Sequence, residues 1–171
     1  EEPGSSWWRL EVPLQGDLGQ NFDTWTGWDR APQLRHLLED PQKDFVIETK
    51  LRFDPAAAPA PTDPFLMGLL IYFSRYDIMH FHAGFERMVG GEPKNVLLER
   101  SGLNNLLVDY YPDLLLGSEI RLRLEKKCST YNAFWLGEDE EVWHYMGSYE
   151  TEDTPKYVGL IMKTWQAGAS F

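Results

Sequence analysis

Hydrophobic and polar residues alternate with a period of two along much of this 171-residue chain. In Asp44–Asp54 (DFVIETKLRFD), every second residue from Phe45 onward is apolar or Thr, and most residues between them are charged. Ser118–Lys127 repeats the alternation, whereas Phe65–Ser74 is a nearly continuous apolar run. Because neighbouring side chains of a strand point to opposite faces, the first two patterns predict half-buried strands and the third a strand buried on both faces. Further strands are expected at Ile78–Gly84, Asn95–Arg100, Thr130–Leu136, Glu141–Gly147 and Lys156–Trp165.

Turn-forming residues separate these segments. Ser74–Asp77 predicts a short hairpin and Gly137–Glu140 a tight one. Asp54–Pro64 is rich in proline, which removes backbone donors, and it predicts a surface loop. Pro32–Glu39 is compatible with a helical turn or a strand. Many short strands at a spacing of about ten residues predict one all-β domain over residues 1–171, a two-sheet antiparallel β-sandwich.

Composition narrows the choice of partners. The net charge of −11 disfavours nucleic acid and anionic membranes, and the sequence has no apolar run of about 18 residues that would span a bilayer. The single cysteine excludes an intrachain disulfide. The chain opens with EEPGSS, without Met or a signal segment, and we interpret it as a module excised from a larger secreted, extracellular protein.

Seven segments, in this order, carry a family resemblance: DRAPQL (29–34), DFVIETKLRF (44–53), GLLIYFSRYDIMHF (68–81), VLLERSG (96–102), IRLRLEK (120–126), YNAFWLGEDEEVWHYMGS (131–148) and YVGLIMKTW (157–165). This order resembles the concanavalin A-like (jelly-roll type) β-sandwich at the C-terminus of family 43 glycoside hydrolases and in related bacterial carbohydrate-binding modules. The family's turn often carries Asp-Gly before its Trp, where this chain has GEDEEVW (137–143). The resemblance implies the fold more strongly than the ligand, since enzymes, binding modules and accessory domains share it.

Catalytic motifs are missing from the sequence. Glycoside hydrolases of the laminarinase type, which have this fold, carry Glu-x-Asp-x-x-Glu along one strand. This chain lacks that pattern, and it lacks a Gly-x-Ser-x-Gly elbow. The dense carboxylates of 138–141 fall in a predicted turn, where a solvated charge run is the ordinary interpretation. We therefore expect a domain that is not itself an enzyme.

The segment NFDTWTGWDR (21–30) mixes aromatic and polar side chains as sugar sites do, because aromatic rings cover the apolar face of a pyranose and polar groups bind its hydroxyls. Here Trp25 and Trp28 would form a platform with Asp29 and Arg30 as polar partners. One of the two Trp residues is expected to pack in the core instead.

Two further sets are candidates for sugar binding. Tyr110 and Tyr111 would face opposite ways in an extended segment, leaving one of them available. Charged and aromatic residues at the outward positions of the regular strands would form a groove for an acidic sugar if their sheet is concave. The alternative is a solvated sheet face with cross-strand ion pairs such as Glu48 with Arg121. This third set comprises Glu48, Lys50, Arg52, Tyr72, His80, His82, Arg121 and Arg123.

Two metal hypotheses follow from spacing. His80 and His82, at i and i+2, project from one strand face and can offer two ligands to a transition metal. Two polar-face histidines are the simpler interpretation, because no third His or Cys lies nearby. Asp17 and Asp23 are candidates for a structural calcium site, since they cluster with Asp29 in the N-terminal region.

The sequence predicts a non-catalytic carbohydrate-binding module that targets a tethered catalytic domain to a polysaccharide, neutral or acidic. Three alternatives stay open. One is a structural accessory domain packed on a glycoside hydrolase catalytic domain. The others are a small glycan-active enzyme of the same fold and a laminin-G-like protein-recognition domain.

Overall fold

The computed structural model of the chain describes residues 11–12, 22–25, 28–52, 65–86, 94–101, 105–110, 119–164 and 169–170. Within these ranges the chain forms strands and no helix, so no described helix could cross a membrane. The strands are β1 (Glu11–Val12), β2 (Thr24–Trp25), β3 (Trp28–Asp29), β4 (Gln33–Leu37), β5 (Phe45–Arg52), β6 (Phe65–Ser74), β7 (Asp77–Glu86), β8 (Lys94–Arg100), β9 (Asn105–Tyr110), β10 (Glu119–Lys127), β11 (Thr130–Gly137), β12 (His144–Glu150), β13 (Tyr157–Thr164) and β14 (Ala169–Ser170).

Two antiparallel sheets contain the long strands. The larger has six strands in the order β4-β13-β6-β7-β8-β9, and the smaller has four in the order β12-β11-β10-β5. The short strands form two-stranded ribbons, β1 with β14 and β2 with β3. The fold is therefore a jelly-roll type β-sandwich, which confirms the predicted fold class.

The hydrophobic core lies between the inner faces of the two sheets. In β10 the residues Ile120, Leu122 and Leu124 are buried, whereas the residues between them are exposed or half-buried, so the predicted alternation is confirmed. Each such side chain contributes about 1.5–3 kcal/mol when it leaves water. The core includes Leu51, Met67, Leu69, Ile71, Phe73, Met79, Phe81, Val96, Leu98, Tyr131 and Trp135.

The predicted strands are confirmed with four differences, the first being that the short strands β1, β2, β3 and β14 were not predicted. Residues 33–37 form strand β4, which decides the choice left open for Pro32–Glu39. Strand β9 was not predicted, and β12 begins at His144 rather than Glu141. The connection before β12 is therefore wider than a tight hairpin. The carboxylate of Glu140 holds it, accepting a hydrogen bond from the Gly137 amide (2.8 Å) and lying 2.9 Å from His144 Nε2.

One buried charge joins the two sheets. Arg100, at the end of β8, is 2% exposed and points into the sandwich. Its guanidinium donates to both carboxylate oxygens of Asp77 (2.8 and 2.6 Å), to Asp153 (2.6 Å) and to the hydroxyl of Tyr149 on β12 (3.1 Å). It also lies 4.3 Å from the ring centroid of Phe73. Burial alone would lower its pKa, but the two carboxylates raise it, so Arg100 is charged throughout the working pH range.

The chain around β2 and β3 packs on part of the outer face of the six-stranded sheet. A second apolar cluster forms there from Ala31, Leu70, Ile78 and Ile161, with Tyr72 packed against it. Hydrogen bonds to Thr24 fix the cover, since its hydroxyl accepts from the amide of Ala31 at 3.3 Å and from the side-chain amide of Gln33 at 3.3 Å. His80 and His82 on this sheet face are completely buried, whereas Tyr72 is half-buried.

Candidate functional site

The predicted charged groove is divided between two sheets. Tyr72, His80 and His82 lie on the outer face of the six-stranded sheet, whereas Arg121 and Arg123 lie on the outer face of the four-stranded sheet. Alternation along a strand shows which residues share a side of their own sheet, but not which sheet the strand joins. These residues do not line one groove.

A buried polar cluster occupies the outer face of the six-stranded sheet, and we define it as Asp23, His80, His82, Glu99 and Lys163. His80 and His82 project side by side from β7, and Glu99 on β8 is the register partner of His80. The two Nδ1 atoms are 3.0 Å apart. Glu99 Oε2 lies 3.5 Å from His80 Nδ1 and 3.5 Å from His82 Nε2. Three metal-ligating side chains thus converge from two neighbouring strands.

Electrostatics keep both imidazoles of this cluster neutral. His80 and His82 are completely buried, and the loss of solvation together with the nearby Lys163 charge lowers both pKa values well below 6.5. The ammonium of Lys163 lies 3.0 Å from Asp23 Oδ1 and 4.0 Å from Glu99 Oε2. Two carboxylates therefore approach one ammonium beside the two buried histidines.

Burial limits what this cluster can contact. His80 and His82 were predicted to bind sugar, but the structure leaves neither ring open to a polymer on the surface. The carboxylates of Asp23 and Glu99 both approach Lys163, and Glu99 is only 7% exposed. A glycosidase needs its carboxylate pair at an open groove, so this arrangement does not by itself support hydrolysis.

An exposed row of aromatic and charged side chains crosses the four-stranded sheet. The register aligns Tyr145, Phe134, Arg123 and Glu48 on β12, β11, β10 and β5. Tyr145 is 59% exposed, and its ring centroid lies 5.4 Å from that of Phe134. The Arg123 guanidinium lies 4.2 Å from the ring centroid of Trp143 and donates to Glu48 (2.5 Å). These five residues are called the aromatic face below.

The residues of the predicted Trp platform lie on or beside the short β2–β3 ribbon. Trp25 and Trp28 are register partners in the β2–β3 ribbon rather than parts of an irregular loop. The Asp29 carboxylate accepts a hydrogen bond from the side-chain amide of Gln33 (3.0 Å) and lies 3.8 Å from the Arg35 guanidinium.

The remaining predicted residues are less closely grouped. The guanidinium of Arg35 covers the ring of Tyr72 at 4.0 Å. Arg30 and Arg121 are exposed, and Tyr110 ends β9. Asp23, proposed for calcium, has the ammonium of Lys163 beside its carboxylate. Tyr111 and Asp17 lie outside the described residues.

Ion pairing on the four-stranded sheet also differs from expectation. Glu48 is the register partner of Arg123 and pairs with it, whereas Arg121 lies opposite Lys50. Lys50 pairs with Glu119, the first residue of β10. The expected pair of Glu48 with Arg121 is therefore wrong by two positions along β10.

No protein-family model and no curated protein sequence matches this chain. Among solved structures, similarity extends to a xylan β-1,4-xylosidase from Bacillus halodurans C-125, with a TM-score of 0.51 and 14% identity over 81% of this chain and 32% of the xylosidase chain. A GH131 β-glucanase catalytic domain from Podospora anserina matches with a TM-score of 0.53 and 11% identity, over 95% of this chain and 70% of the β-glucanase chain. A basic winged bean lectin, solved with Tn-antigen, matches with a TM-score of 0.53 and 12% identity, over 96% of this chain and 77% of the lectin chain.

These similarities establish the fold and confirm the resemblance to the β-sandwich module of family 43 glycoside hydrolases. The chain spans about a third of the length of the xylosidase that it matches. At these identities the likeness concerns the arrangement of strands, and function has to be argued from the side chains of this chain.

Proposed function

We propose that this domain is a non-catalytic carbohydrate-binding module of a secreted polysaccharide-degrading protein, and that it binds its polymer on the aromatic face. The fold supports the proposal, because it is shared with a β-glucanase catalytic domain and with a lectin solved in complex with a glycan antigen. The single observation that carries it is the exposed row across the four-stranded sheet.

The aromatic face combines the two chemistries that a pyranose requires. The rings of Tyr145, Phe134 and Trp143 are exposed or half-buried and can stack on the apolar face of a sugar. Arg123 supplies donors and Glu48 supplies acceptors for hydroxyl groups. Because Arg123 is held between Glu48 and the ring of Trp143, little side-chain entropy is lost on binding.

Charge favours a neutral polymer over an acidic one. On this sheet Arg123 pairs with Glu48 and Glu125, and Lys50 pairs with Glu119. These two basic side chains are thus offset by neighbouring carboxylates, and the chain as a whole carries −11. A polyanion would therefore meet long-range repulsion from the chain.

The experiment is affinity electrophoresis of the domain in gels containing xylan, a mixed-linkage β-glucan, or polygalacturonate, each with and without EDTA. We expect retardation by a neutral polymer and a loss of at least tenfold in affinity in both Trp143→Ala and Tyr145→Ala. Tyr76→Ala is the matched control, because Tyr76 is 43% exposed at the β6–β7 turn, away from this face. Retardation lost only in Trp25→Ala or Trp28→Ala would refute the aromatic face as the site.

The second candidate function is a structural accessory domain that packs on a catalytic domain. Val46 and Val142, 54% and 75% exposed, extend the apolar surface around the aromatic face, and a protein partner would cover such a surface. The length of the matched xylosidase, of which this fold is about a third, is consistent with such an arrangement. No retardation by any of the three polymers would favour this function over carbohydrate binding.

A further inference from the structure

We propose that His80, His82 and Glu99 bind a divalent transition-metal ion, and that zinc is the best match to two imidazoles and one carboxylate. Zinc sites in proteins are built from these ligand types. The inference is independent of carbohydrate binding, because the cluster lies on the outer face of the six-stranded sheet and the aromatic face lies on the other sheet.

The backbone of two neighbouring strands produces the convergence. His80 and His82 are separated by one residue of β7, so both point to the same side, and Glu99 stands directly opposite His80 on β8. Ligand atoms of the three residues lie within 4.8 Å of one another. Glu99 Oε2 is 3.5 Å from a nitrogen of each imidazole, close to the edge of about 3.3 Å in a tetrahedron with bonds of 2.0–2.1 Å.

An unsatisfied polar atom points to a missing ligand. His82 Nε2 is buried and makes no hydrogen bond within the described part of the chain, although it faces Glu99 Oε2. Buried polar atoms without a partner are rare in folded proteins, and each one calls for an explanation. A metal ion between this nitrogen and the carboxylate would supply the partner that the described residues do not.

The charge of the site accommodates a cation but sets a limit on affinity. Among the described residues of the cluster, Asp23 and Glu99 carry two negative charges and Lys163 carries one positive charge. The ammonium lies closer to Asp23 (3.0 Å) than to Glu99 Oε2 (4.0 Å), the oxygen that also faces both imidazoles. Repulsion between Lys163 and the ion weakens binding, so removing this charge should strengthen it.

The test begins with protein stripped by EDTA and titrated with Zn²⁺ against a chromophoric chelator, with bound metal counted by mass spectrometry. We expect one zinc per chain and a rise of about 5–10 °C in Tm at a hundredfold excess over Kd, with none from Mg²⁺. His82→Gln and Glu99→Gln should each lose affinity at least a hundredfold, and Lys163→Met should gain tenfold or more. His36→Gln/His144→Gln, which removes two exposed histidines, is the matched control and should bind as the wild type does.

Either of two results of the zinc titration would overturn the proposal. One is folded wild-type protein, verified by circular dichroism, that takes up less than a tenth of an equivalent of zinc. The other is binding that disappears in the His36→Gln/His144→Gln control and persists in Glu99→Gln. If the cluster variants fail to fold, the visible spectrum of the Co²⁺-loaded wild type decides the question. A d–d band typical of four-coordinate nitrogen and oxygen ligation supports the site, and the spectrum of hexaaqua Co²⁺ refutes it.

Discussion

Replacing Arg100 with Met should be the most destabilising single change at the junction of the two sheets. The guanidinium is 2% exposed, so the substitution removes the partner of Asp77 and Asp153, whose side chains are 27% and 61% exposed. Breaking a buried ion pair costs about 3–5 kcal/mol, but the carboxylates of this pair partly regain water. Met keeps the apolar contact with Phe73. We therefore expect a loss of about 2–4 kcal/mol in the free energy of unfolding.

Urea unfolding at pH 7, followed by tryptophan fluorescence, measures this loss, and an unchanged m-value would show that the unfolded state is not affected. For a chain of this size the loss corresponds to a decrease of about 5–15 °C in Tm. Arg123→Met is the matched control, because Arg123 also pairs with a carboxylate but at the exposed surface, where removal should cost less than about 1 kcal/mol. Equal losses in the two variants would refute the argument that burial makes Arg100 structurally important.

Three further predictions concern acid, a glycine and a turn. The hydrogen bond from Arg100 lowers the pKa of Asp153 below its ordinary 3.8. The ionised carboxylate therefore stabilises the folded state fully above about pH 4, and this stabilisation is lost as the pH falls through the lower folded-state pKa. In urea unfolding, the difference in the free energy of unfolding between wild type and Arg100→Met should be constant from pH 7 to 5 and smaller at pH 3. Gly68→Ala should lower the free energy of unfolding by about 3 kcal/mol or more, because the new Cβ would lie 2.1 Å from a backbone oxygen of β7. In Gly137→Ala the nearest atom, at 2.9 Å, belongs to a flexible carboxylate, so the loss should stay below about 1 kcal/mol. Similar melting temperatures for the two variants would contradict this. Cys128 has a positive φ of 52° in the β10–β11 turn. Cys128→Gly should therefore raise the free energy of unfolding by about 0.5 kcal/mol, and Cys128→Val should lower it. The reverse order of melting temperatures would show that the strain is absent.

Most of the fold could be predicted from the period of hydrophobic residues. The alternation of β5 and β10 and the apolar run of β6 are strong signals, because burial on one or two faces leaves a direct trace in the sequence. Strand β9 (NLLVDY) has only a short apolar run beside Asn and Asp, and this pattern is typical of a loop. The start of β12 was misplaced because the side chain of Glu140 extends the preceding turn, an effect of tertiary contacts rather than of pattern.

The sites were only partly predictable, for a physical reason. The spacing of His80 and His82 shows that they share a strand face, but their third partner, Glu99, is fixed by the pairing and register of β7 with β8. Lys163 reaches the same cluster from β13, two strands away on the other side. Both histidines are completely buried in the folded chain, and their own neighbours in sequence carry no sign of that.

Strand β13 lies between β4 and β6, although it is the last long strand of the chain. During translation, therefore, one edge of β6 has no partner until residue 164 has left the ribosome. About ninety residues separate the two strands, which at 5–20 residues per second is an interval of about 5–20 s. Over that time β6, a nearly continuous apolar strand, exposes unpaired backbone groups, the kind of edge that recruits other nascent chains. Production of soluble protein should therefore depend on the speed with which the ribosome delivers β13.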